Sequence, residues 1–207
     1  KYFSREDSKR VAVFGCGKQG RTQLEAVNAV RELEKVWIFD KSRDQAESFV
    51  KDMEDIIEAP ITIADDPAVL RDADIICTAT NSTGPLFFKE HIKPGTHINA
   101  IGSFKPTMRE LDPEIILSSR LYFDDKESCV NESGDFVHMA EQYEQVKDNI
   151  VGEIGEYALD KIPGRSSADE VTLFKSVGTA IQDFVVADQI YEKAVTGNFG
   201  NDIRLYE

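Results

Sequence analysis

The sequence predicts an α/β fold, a doubly wound and mostly parallel sheet with helices on both faces. Three observations carry the prediction. From Arg10 onward, short apolar runs alternate with amphipathic stretches, the rhythm of successive βα units. A glycine-rich turn, Gly15-Cys16-Gly17-Lys18-Gln19-Gly20, follows the first apolar run and opens the first helical pattern. A second apolar run then ends on an acid, Asp40, twenty residues after the last of those glycines.

Taken in chain order, the expected strands are Val11 to Phe14, Val36 to Phe39, Ile61 to Ala64, Ile75 to Cys77, His97 to Ala100 and Leu121 to Phe123, with a last one at Val171 to Phe174. The helix after the glycine turn carries Leu24, Val27 and Val30 on its apolar side. Between the second and third strands, Ala46, Phe49, Val50 and Met53 recur at helical spacing and form one face, which belongs against the sheet. The segment from Asp124 to Ser167 is polar and poorly periodic, and its stretch around Glu132 to Asp135 reads as loop. The final helix, expected over Val177 to Ala194, has two apolar rows, one of them through Ala180, Phe184, Ala187, Tyr191 and Ala194. Two rows predict burial on two sides, against its own sheet and against another surface.

Length and composition narrow the function. The 207 residues suit one sizeable domain, so residues 1–207 read as a single unit ending in a helix. With 38 acidic residues against 24 basic, the formal charge of -14 repels phosphate backbones and anionic lipid heads, which argues against nucleic acid as a partner. No apolar run approaches the roughly 20 residues of a membrane span. Cys16, Cys77 and Cys129 are widely spaced and odd in number, a pattern that suits neither disulfides nor a metal site and points to the cytoplasm. The charged start, Lys1 to Asp7, has neither a signal peptide's apolar region nor an initiator methionine, and suggests a chain that begins partway through a longer protein.

The glycine turn has the context that dinucleotide binding by a Rossmann domain requires. Gly15 permits the tight turn, Gly17 lets the backbone approach a pyrophosphate, and Gly20 lets helix and strand pack closely, while the helix start presents free amides to the phosphates, with Lys18 and Gln19 in its first turn. A carboxylate at Asp40 accepts the hydroxyls of the adenosine ribose and disfavours a 2′-phosphate, so NAD is the expected cofactor. Lys41 and Arg43 next to it are cations suited to that phosphate and leave room for NADP. Ligands of open α/β sheets sit outside the carboxyl ends of the strands, which adds Thr78, Ala79, Thr80 and Asn81, then Ile101, Gly102 and Ser103, and Ser176 before the last helix. Read singly, each of these loops is also an ordinary turn; together they ring one crevice. An S-adenosylmethionine methyltransferase shares the glycine loop and the acid, but the three-glycine spacing argues against it.

Several stretches resemble the ornithine cyclodeaminase and mu-crystallin family: Gly15 to Gly20, Thr78 to Thr80, His97 to Pro106, Glu110-Leu111, and Phe174 to Asp183. The resemblance implies NAD(P)-dependent homodimers that cyclise ornithine to proline with loss of ammonia, reduce cyclic imines, interconvert alanine and pyruvate, or bind thyroid hormone with NADPH. It also implies an N-terminal substrate and dimerisation domain, absent from this chain, whose lysine and arginines hold the amino-acid carboxylate. In ornithine cyclodeaminase and archaeal alanine dehydrogenase the loop after the fifth strand carries an aspartate assigned to proton transfer, and Phe104 stands at the matching position here. Phenyl cannot move a proton, whereas reduction of an already protonated imine needs only hydride delivery and a carboxylate anchor. The resulting expectation is a pyrroline-2-carboxylate or piperideine-2-carboxylate reductase, inactive as this fragment alone. Ornithine cyclodeaminase and a non-catalytic mu-crystallin-like binder of dinucleotide and ligand are the alternatives. The three histidines, together with Lys105, Arg109 and Cys16, are secondary candidates, with structural roles favoured for the histidines and for Cys16.

Overall fold

A computed structural model describes residues 1–201 and residue 203. The elements follow in order as β1 (Arg10–Phe14), α1 (Lys18–Asn28), β2 (Lys35–Phe39), α2 (Arg43–Met53), β3 (Ile61–Ile63), β4 (Ile75–Thr78), β5 (His97–Ala100), α3 (Pro113–Leu117), β6 (Arg120–Phe123), α4 (Lys126–Glu132), α5 (Gly134–Val137), α6 (Tyr143–Val146), β7 (Ile150–Glu153), α7 (Ile154–Ala158), β8 (Thr172–Lys175) and α8 (Ala180–Gly197). The strands form one sheet in the order β3-β2-β1-β4-β5-β8-β6-β7, and every pair is parallel.

The alternation along β1 shows why both faces are covered. Val11 and Val13 point into one cluster with Leu24 and Val27 of α1 and with Ala46, Phe49 and Met53 of α2. Ala12 and Phe14 point into the other, with Ile115 and Ile116 of α3, Cys129 of α4 and Phe136 of α5. Each large side chain so buried contributes about 1.5–3 kcal/mol, and two faces are needed to shelter strands this apolar. The face predicted for α2 is the one that packs on the sheet, and Ser42 caps the helix by accepting the Gln45 amide at 3.3 Å.

In the second half the loop expected around Glu132 to Asp135 is instead the junction of α4 and α5, and the last helix begins at a different residue from the one expected. The segment from Asp124 to Ser167 is mostly ordered structure, from α4 through α7, and it contributes a strand, β7, at the sheet edge. Its polar residues are in part buried: Ser133, Gly134 and Asp135 lie inside, with Asp135 accepting the backbone amides of Glu110 and Leu111 at 2.8 and 3.0 Å. Polarity there satisfies internal hydrogen bonds and does not mark a surface loop. The last helix starts later than predicted because Gly178 takes a φ of +86°, outside helical space. That helix belongs to a second compact unit beginning at Gly178, the first running from Lys1 to Val177.

Candidate dinucleotide site

The strand order reverses direction between β1 and β4, and a cavity of about 690 Å³ opens outside their carboxyl ends. Its floor is apolar, with Phe14 stacked on Phe39 at 4.2 Å between ring centres. One wall is made by Gly15, Gly17, Asp40, Lys41, Ser42, Gln45 and Asp65, and the other by Ala79, Thr80, Asn81, Ser82, Leu86, Phe104 and Met108.

Gly15 has a φ of +95°, and a Cβ there would run into the carbonyl of Ala79, so both the turn and the closeness of the β4 loop require glycine. Gly17 starts α1 with no side-chain cap and no acid in the first turn, and a side chain at Gly17 would meet open space. Such a helix start keeps its amides available to an anion. Asp40 joins the two halves of this wall: Oδ2 accepts the Cys16 amide at 2.8 Å and Oδ1 accepts the Ser42 amide at 2.9 Å. Each oxygen retains acceptor capacity toward the cavity.

The opposite wall rests on a buried carboxylate. Glu110 Oε1 accepts the amide and hydroxyl of Thr80 at 2.6 and 2.7 Å, and Oε2 accepts the Thr78 hydroxyl at 2.8 Å and the amides of Gly102 and Ser103 at 2.9 and 3.2 Å. Burial pushes the Glu110 carboxyl above the usual range, opposed by the Thr80 and Thr78 bonds and by the nearby Lys175 ammonium. Lys175 Nζ lies 3.5 Å from Asp135 Oδ2, both side chains fully buried.

The candidate residues therefore divide. Gly15, Gly17, Asp40, Lys41, Ala79 and Thr80 line the cavity. Lys18 and Gln19 are exposed on the first turn of α1 behind the turn, and Gly20 is buried where a Cβ would strike the Gly15 carbonyl. Arg43 is exposed and ion-paired with Glu47 at 3.0 Å, off the wall. Thr78, Gly102 and Ser103 are buried beneath the wall, and the Ser103 hydroxyl donates to the Met108 carbonyl at 2.9 Å. Ile101 is half-buried beside them, and the Ser176 hydroxyl donates to Asp124 at 2.6 Å. Sequence reasoning missed Ser42, Gln45, Asp65, Ser82, Leu86 and Met108 on the walls. The strand-end rule applied to β3 would have found Asp65.

The secondary candidates, Arg109 among them, do not line this cavity. The His97 ring, fully buried, pairs with Thr172 Oγ1 at 2.8 Å and Asn99 Oδ1 at 3.0 Å, and burial lowers its pKa to about 3. His91 Nδ1 accepts the Phe88 amide at 3.0 Å, and His138 is exposed. Burial pushes the Cys16 thiol up to about 12, which outweighs any lowering by the helix start. Lys105 is exposed, its ammonium 5.4 Å from the Phe104 ring centre. Among the described residues no group of acids, histidines and cysteines is placed to hold a metal, and no helix is long and apolar enough to cross a membrane.

Residues 1–198 match the profile of the ornithine cyclodeaminase/mu-crystallin family. Delta(1)-pyrroline-2-carboxylate reductase of Bacillus cereus is 35% identical over 205 residues, 98% of this chain and 63% of that protein. The structure of the Thermococcus litoralis Delta(1)-pyrroline-2-carboxylate reductase in complex with NADH and L-proline superposes with a TM-score of 0.92 at 35% identity, covering 98% of this chain and 63% of that one. An archaeal alanine dehydrogenase dimer with bound NAD gives 0.90 at 33%, covering 99% and 63%. This chain thus spans somewhat under two thirds of the length of these relatives. Glycine turn, switch-point cavity and relatives agree, and the chain belongs to the ornithine cyclodeaminase/mu-crystallin family.

Proposed function

We propose that this chain is the NAD-binding part of an imine reductase acting on a five- or six-membered cyclic imine carboxylate, of the pyrroline-2-carboxylate kind. The observation that carries the reading is the cavity with Gly15, Gly17 and Asp40 on one wall and Thr80, Asn81 and Phe104 on the other. The residues fit a dinucleotide: an uncapped helix start for the pyrophosphate, and Asp40, held by two amides, for the adenosine ribose. When bound, NADH supplies a hydride to the imine carbon, which with the proton already on nitrogen gives the cyclic amino acid and NAD⁺. The chain's own residues orient: the backbone at Gly15 and Gly17 admits the phosphates, and the wall from Ala79 to Ser82 borders the nicotinamide side.

Phe104 distinguishes the reductase from a cyclodeaminase. It is 46% exposed at the cavity rim, next to Lys105, and its phenyl group offers apolar surface to a ring while holding no proton to transfer. Groups anchoring the substrate carboxylate lie, on this reading, in the part of the complete protein that this chain does not span, and the complete protein is a homodimer like the archaeal relative. The three buried free thiols suit the cytoplasm. The test is steady NADH oxidation by the complete protein with pyrroline-2-carboxylate or piperideine-2-carboxylate. Ammonia release from ornithine with no imine reduction overturns the reading, and so does NADH binding without turnover of either imine.

A further inference from the structure

Behind the wall bordered by Thr80 and Phe104 lies a buried acidic and basic group that does not itself line the cavity yet holds two of its loops. Glu110 is 0% exposed, and its two oxygens serve different loops. Oε1 takes both donors of Thr80, on the loop after β4, while Oε2 takes the amides of Gly102 and Ser103, on the loop after β5, together with the Thr78 hydroxyl. The loops approach so closely that a Cβ on Gly102 would strike both Glu110 and the Thr80 backbone. Glu110 is itself fixed, because its own amide donates to Asp135 Oδ1 at 2.8 Å, and Asp135 faces the buried ammonium of Lys175.

Five donors converge on one carboxylate and none of these contacts needs a donor in return, a demand that only an ionised carboxylate meets in full. We propose that Glu110 is the positioning residue of the nicotinamide half of the site: backed by Lys175 and Asp135, it sets the spacing of the loops after β4 and β5 and so the wall against which that half rests. The proposal depends on the dinucleotide reading above. Asp40 marks the adenosine end on the β2 side of the switch point, so the β4 and β5 loops flank the other end.

Glu110→Gln is the discriminating variant. Its amide keeps one acceptor oxygen, and the NH₂ faces either the Thr80 amide or the amides of Gly102 and Ser103, so one loop is released whichever way the group turns. Hydrogen exchange on the ligand-free chain should show the amides of Thr80, or of Gly102 and Ser103, exchanging at least about tenfold faster than in wild type. NADH affinity, read by nicotinamide fluorescence, should fall by about tenfold, while affinity for ADP-ribose, which lacks the nicotinamide, stays at the wild-type value. Should Glu110→Gln fail to fold, Thr78→Val removes one Oε2 tether with little change in volume, and a smaller loss confined to NADH is expected. Equal weakening of NADH and ADP-ribose would reduce Glu110 to a general structural role and overturn the proposal, as would unchanged binding of both. Wild-type chain that binds neither ligand would overturn the dinucleotide reading itself, and this proposal with it.

Discussion

Replacing Asp40 by alanine tests the cofactor assignment at the point where fold and function share one side chain. Asp40 accepts the Cys16 amide at 2.8 Å and the Ser42 amide at 2.9 Å, and so ties the glycine turn to the start of α2. Removing it leaves the amide of buried Cys16 without its acceptor, at a cost of about 1–3 kcal/mol. For a chain of this size that corresponds to a fall in Tm of roughly 4–8 °C for a loss of about 2 kcal/mol. The same change deletes the acceptor proposed for the ribose hydroxyls. A pair of hydrogen bonds to an ionised group is worth about 3 kcal/mol, so NADH affinity should weaken on the order of a hundredfold, whereas NADPH, relieved of repulsion beside the exposed Lys41, should weaken less or improve. Parallel fluorescence titrations of wild type and Asp40→Ala with both cofactors, alongside thermal melts, read each quantity separately. Asp40→Ala that binds NADH as tightly as wild type, with its fold intact, would refute the ribose assignment and leave Asp40 a purely structural tether.

Three other outcomes follow from the same structure. Gly15→Ala forces a side chain into a φ of +95° and against the Ala79 carbonyl, and it should cost at least about 2 kcal/mol in denaturant unfolding while abolishing detectable NADH binding. His97 stays neutral in the folded chain down to about pH 3, whereas the unfolded chain takes up that proton near 6.5, so between these values the unfolded state binds more protons and stability falls as pH falls. By pH 5 this contribution amounts to about 2 kcal/mol lost, and urea titrations of wild type and His97→Gln from pH 7.5 to 5 should show the steeper loss in wild type. Phe104→Ala removes a half-exposed ring from the cavity rim, and in the complete protein it should raise KM for the cyclic imine by about tenfold with NADH affinity unchanged; an unaltered KM would remove Phe104 from the substrate wall.

The legible part of the site is local in sequence. Gly15, at a positive φ, and Gly20, packed on the Gly15 carbonyl, mark a turn that needs glycine at both positions, and β1 and β2 announce themselves as short apolar runs, so Asp40 falls at a strand end by counting. The same rule found Thr80 after β4 and Gly102 after β5, but could not say that Thr80 lines the cavity while Gly102 lies beneath it. Both loops are tied to Glu110, an acid eight positions beyond Gly102 in sequence that strand counting does not reach. Glu110-Leu111 is among the stretches that carry the family resemblance, but the residue type does not tell that this glutamate is buried, because an exposed glutamate and a buried one are written with the same letter.

The second half of the chain was misread for a related reason. Around Ser133 to Asp135 the sequence is as polar as a surface loop, yet Asp135 is buried against the amides of Glu110 and Leu111 and the ammonium of Lys175. Periodicity detects side chains that avoid water; it does not detect polar groups that leave water because partners distant in sequence replace it. Composition, strand rhythm and the glycine turn therefore determined the sheet, its two covered faces and the wall of the cavity that carries Gly15, Gly17 and Asp40. The tertiary structure alone decided the edge strand β7 and the buried Glu110, Asp135 and Lys175 group, since each depends on contacts between segments that lie far apart along the chain.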